Sequence, residues 1–76
     1  MNNQRRKQIS AILNELADLR SRVEELQNEE QDYFDNMPEN LQQSERGEKA
    51  EQAASRLEDA LTALDEIEEA LNEAAE

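Results

Sequence analysis

ISAILNELADLRSRVEEL, residues 9–26, is the stretch whose reading decides the fold. Ile9, Ile12, Leu16, Leu19, Val23 and Leu26 recur at alternating steps of three and four, the spacing of a coiled-coil seam. Extending the register adds Glu30, a polar interruption, and then Tyr33. A disordered acidic segment has no reason to keep this register for so long. The intervening Glu15, Ala17, Arg20 and Glu25 are good helix formers. Asp18 and Arg22 stand at the i,i+4 spacing of a helical ion pair. The pattern predicts a helix over residues 4–35.

Working outward, the carboxyl-terminal half repeats the pattern with Ala50, Ala53, Leu57, Ala60, Leu64, Ile67, Leu71 and Ala74, while Ala54 and Leu61 widen the stripe. Small alanines alternating with leucines let a neighbouring backbone come close and leave room for bulkier side chains opposite. A second helix is expected over 45–74. The segment between, DNMPENLQQS (residues 35–44), breaks the first helix. Pro38 lacks a backbone N–H and drives Met37 away from helical geometry. Asn36 suits the end of the first helix or a short turn closed by Glu39, and Ser44 suits the N-cap of the second. Gly47 falls in the first turn of that helix.

Two helices joined by fewer than ten residues fold back on each other. The expectation is one all-α domain over residues 1–76, an antiparallel two-helix, coiled-coil-like hairpin. Antiparallel return would bring Arg5, Arg6 and Lys7 beside Glu68, Glu69, Glu73 and Glu76. It would also set the acidic run Glu24, Glu25, Glu29, Glu30, Asp32 and Asp35 against Arg46, Lys49 and Arg56. Leu13, Phe34 and Leu61 lie just outside the narrow seam, so the apolar face is wider than two helices need. Self-association into a helical bundle follows. The expected core and oligomer seam is Ile9, Ile12, Leu13, Leu16, Leu19, Val23 and Leu26, with Leu57, Leu61, Leu64, Ile67 and Leu71.

Composition excludes several functions. The 76 residues carry twenty acids against eight bases, a formal charge of −12. That balance argues against direct binding to nucleic acid or to an anionic membrane, both of which call for clustered Lys and Arg. No apolar segment has signal-peptide or membrane-spanning length, so cytoplasmic residence is expected. The chain has no Cys, His or Trp. The usual nucleophile–base pairs are therefore missing, and a thin hairpin has no pocket in which to raise a carboxyl pKa. Neither an enzyme nor a cofactor is expected. Asp32, Asp35, Asn36, Glu39 and Asn40 suggest a calcium loop but lack its one-three-five spacing and central glycine, so no metal site is expected.

The run DYFDNMPENLQQSERGEKAE, residues 32–51, resembles a group of short acidic proteins encoded by bacteriophages, prophages and other bacterial mobile elements. Such proteins similarly combine a basic start, a heptad helix, a turn like Asp-Asn-Met-Pro-Glu-Asn-Leu and an acidic second helix. The resemblance implies a mobile-element gene acting in a bacterial cytoplasm, and by analogy the binding or inhibition of a host protein. It carries over no functional residues.

The sequence thus points to a non-enzymatic module that binds a protein partner and forms a homo-oligomer. Its expected docking surface is the hinge: Tyr33, Phe34, Asn36, Met37, Pro38 and Leu41, because binding energy concentrates on aromatic and large apolar groups. Tyr33 holds the seam register and is expected in the core, with Phe34 at its edge. The alternatives are an acidic DNA mimic, using Asp65, Glu66, Glu68, Glu69 and Glu73, and a structural helix pair in a phage assembly.

Overall fold

The computed structural model describes residues 1–76 as three helices: α1 (Asn3–Asp35), α2 (Glu39–Gln42) and α3 (Glu45–Ala74). α1 begins where the Asn2 side chain accepts a hydrogen bond from the Arg5 backbone N–H at 2.8 Å, satisfying one of the four free donors of a helix start. It ends at Asn36, whose N–H reaches the Asp32 carbonyl at 2.9 Å. Pro38 is extended, at φ −56° and ψ 149°, so the chain leaves the helix there. The hinge is not wholly irregular. Its one-turn α2 is closed by hydrogen bonds from the Leu41 and Gln42 N–H groups to the Pro38 carbonyl. Ser44 then caps α3 as expected, accepting from the Gly47 N–H while its hydroxyl donates to the Leu41 carbonyl.

α3 runs back along α1 in a hairpin about 58 Å long. Two contacts locate the pairing: Arg20 Nε lies 2.7 Å from Asp65 Oδ1, and Arg6 Nε donates to the Ala75 carbonyl at 2.9 Å. None of the helices is long and apolar enough to cross a membrane.

The faces that meet differ from the seam expected at the sequence level. On α1 the inner row is Ile9, Leu13, Leu16, Arg20, Val23, Gln27, Glu30 and Phe34. On α3 it is Gly47, Ala50, Ala54, Leu57, Leu61, Leu64, Leu71 and Ala75. The chosen rows take one side of a stripe that is too wide for a single partner helix. Ile12, Leu19, Leu26 and Tyr33, one heptad apart, are left 43–54% exposed, and Ile67 is 47% exposed. These five are not core residues of the hairpin. Tyr33 and Phe34 also exchange their expected places: adjacent helical positions point about 100° apart, and Phe34 is the one turned towards α3.

Only Ile9, Gly47, Ala50 and Ala54 are buried. Three of these four lie in the first turns of α3, beside the hinge. Gly47 is there for space, not for backbone freedom, since it has no positive φ. A Cβ at this position would overlap the carbonyl oxygens of Leu41 and Gln42.

Gly47→Ala separates the two roles. At an open helix position the change would stabilise the chain by roughly 1 kcal/mol. Against the hinge carbonyls it should destabilise by about 1–3 kcal/mol. Circular-dichroism melts of Gly47→Ala beside the exposed control Glu48→Ala report the sign, and a higher melting temperature for Gly47→Ala would rule out the close approach.

Candidate interaction surface

The row left open on α1 is Ile12, Leu19, Leu26 and Tyr33; its counterpart on α3 is Ala53, Ala60, Ile67 and Ala74, of which Ile67 and Ala74 are exposed and Ala53 and Ala60 half-buried. Each is rotated from its own inner row in the same sense, seen from the helix N-terminus. Reversing the direction of one helix mirrors that sense, so both open rows turn to the same side of the hairpin. The hinge shows the result. Tyr33 and Arg46, which lies one heptad before Ala53, line the same shallow depression with Asn36, Met37, Pro38 and Leu41.

Charge is divided between the two sides. The open rows and the helix positions flanking them carry Arg5, Arg22, Arg46, Lys49 and Arg56 but only Glu15 and Glu29. The apolar side therefore holds five of the eight bases and two of the twenty acids. The net negative charge lies on the back and outer faces.

Five of the six residues expected to form a partner surface line the hinge depression: Tyr33, Asn36, Met37, Pro38 and Leu41. The sixth, Phe34, is half-buried between the helices, and its carbonyl accepts from Gln42 Nε2 at 3.1 Å. Arg46, expected only as a base facing the acidic run of α1, joins the depression; its place one heptad before Ala53 was the available signal. Asp65, Glu66, Glu68, Glu69 and Glu73 are exposed but wrap around α3 over roughly 160°, instead of sharing a single edge. No three carboxylates converge as metal donors.

The ion pairs correct the expected end-to-end charge matching. Arg6 satisfies a backbone carbonyl at the end of α3, not a carboxylate. Lys49 and Arg56 pair locally, with Glu45 and Asp59. Asp18 and Arg22 do not pair; Arg20 instead holds Glu24 at 2.7 Å on its own helix. Arg20–Asp65 is the one ion pair between the helices. A pair within one helix orders its long side chains at less cost in rotamer freedom than one across the hairpin, which favours the Lys49 and Arg56 pairs.

The Asp65 carboxyl is held below its usual range, chiefly by the hydrogen bond from Arg20, with desolvation opposing and Coulomb attraction adding. A depressed folded pKa means that the pair's stabilisation is complete above the unfolded value of about 3.9 and is lost as pH falls through the folded value. Acidification from pH 7 to 5 therefore leaves this pair intact. The pair's contribution to the melting temperature should hold over that interval and fade only below about pH 4. Asp65→Asn should blunt the fall, whereas a steady loss between pH 7 and 5 would contradict the assignment. Comparison with known protein families, with curated proteins and with solved structures finds no match for this chain.

Proposed function

We propose that this chain is a non-enzymatic protein-interaction module whose first partner is another copy of itself, the two forming a helical bundle with an acidic exterior. The observation that carries this reading is the row Ile12, Leu19, Leu26 and Tyr33, large apolar side chains spaced by sevens and facing water. The area involved supports it. The hairpin exposes 5803 Å², about 1,000 Å² more than a compact monomer of its 8.8 kDa mass would. A standard interface buries about 800 Å² on each partner. The small internal core points the same way, since a helix pair with few buried side chains is marginal alone.

The hinge depression lies at the end of such a bundle; its Tyr33 and Arg46 belong to the rows that the second copy covers, so a further protein would meet Asn36, Met37, Pro38 and Leu41. The resemblance of residues 32–51 to phage and mobile-element proteins suggests a bacterial host or phage protein for that role, bound and inhibited in a bacterial cytoplasm. The acidic exterior favours a second reading, the DNA mimic. One hairpin has roughly one net charge per 5 Å of its 58 Å length, and two side by side roughly one per 2.4 Å. Duplex DNA has about one per 1.7 Å. Capture of a DNA-binding protein that duplex DNA displaces would favour this second reading over simple partner binding.

Light scattering at micromolar concentration should give a mass above the 8.8 kDa monomer, with a melting temperature that rises with concentration. Leu26→Glu, on the open row, should lower both, since each covered leucine contributes about 2 kcal/mol. A monodisperse monomer, or a Leu26→Glu variant with unchanged mass and melt, would end the self-association reading.

A further inference from the structure

Resting on that self-association, we infer that two hairpins close about a two-fold axis parallel to their helices, setting α1 of each against α3 of the other. The only other two-fold placement of the open faces runs across the helices and stacks α1 on α1. Side-chain size and charge discriminate between them.

A two-fold axis allows no slide along itself, so in the parallel arrangement the register between copies is inherited from the hairpin's own pairing. Arg20 and Asp65 mark one level of that pairing. Nine residues further along α1 is Glu29, and nine back along α3 is Arg56, so by this central contact the two stand at one level, and by the terminal Arg6–Ala75 contact about one turn apart. Within a chain they flank opposite outer edges of the apolar face and do not meet. Between copies, Glu29 of one flanks Arg56 of the other, and symmetry repeats the pair. Glu29 makes no ion pair within the hairpin, and Arg56 holds only an exposed Asp59 one turn away, at 3.1 Å. The same levels bring Ile12 near Ala74, Leu26 near Ala60 and Tyr33 near Ala53 of the other copy, large against small, and Leu19 near Ile67.

The crossed arrangement reverses these matches. In the register that pairs all four large residues of α1, Leu19 meets Leu26 and Ile12 meets Tyr33, while between the α3 helices Ala53 faces Ala74 and Ala60 faces Ile67. Glu15 is then set against Glu29, and Arg22 against its own copy. Like charges thus meet at all three charged flanking positions of α1. The concentration of acids on the back and outer faces suits either arrangement, whereas the Glu29–Arg56 match suits only the parallel axis.

The chain has no cysteine, so crosslinking can test this directly. Glu29→Cys and Arg56→Cys chains, mixed and oxidised, should give a covalent dimer that neither forms alone. Glu15→Cys mixed with Glu29→Cys should give none. Glu29→Lys should weaken association roughly fivefold, through two exposed pairs, and adding Arg56→Glu should restore it. A covalent Glu15→Cys/Glu29→Cys dimer, or a dimeric mass with no crosslink between positions 29 and 56, would overturn the inference while leaving self-association standing. A monomeric mass for the unmodified chain would overturn both.

Discussion

The hairpin closes because the first turns of α3 offer the hinge nothing larger than a methyl group. Gly47, Ala50 and Ala54 are buried beneath the returning chain, and the carbonyls of Leu41 and Gln42 occupy the space a side chain at 47 would need. With the hinge seated there, Ser44 caps α3, Gln42 reaches the end of α1, and the second helix starts in line with the first. Everything further along the pair, including the Arg20–Asp65 bridge and the seating of Arg6 on the last turn of α3, follows from that starting geometry.

The same closure creates the unpartnered side. A stripe covering more than one row of side chains cannot be buried by one neighbouring helix. The inner rows use Arg20, Gln27 and Glu30 beside their apolar members, while Ile12, Leu19, Leu26 and Tyr33 face outward. The hairpin is thus less hydrophobic inside, and more so outside, than a self-sufficient domain. Five bases and two acids accompany the open rows, so repulsion between two strongly acidic chains is weakest where their apolar surfaces would meet.

Much of the fold was legible in the residues. The three-four spacing located both helices to within a residue of their observed bounds, and Pro38 and Ser44 marked where one stops and the next starts. These are local properties, set by backbone sterics and by capping groups within a turn of where they act. The hinge residues Met37, Pro38 and Leu41 were legible for a different reason: they are large apolar groups outside the regular stripe, next to Tyr33 at its end. Charge matching was the weakest guide, because of the basic side chains only Arg20 reaches a carboxylate on the opposite helix.

By itself, then, the sequence determined that there are two long helices, that they are amphipathic, and that the chain turns between them. Tertiary structure alone decided which edge of each stripe is buried. Starting from Ile9, the steps to Ile12 and to Leu13 are both helical and both apolar, and periodicity weighs them alike. Three-dimensional packing breaks the tie. Gly47, Ala50 and Ala54 admit close approach along one line only, and seating the hinge on that line turns Phe34 and Leu13 inward and Tyr33 and Ile12 out to water.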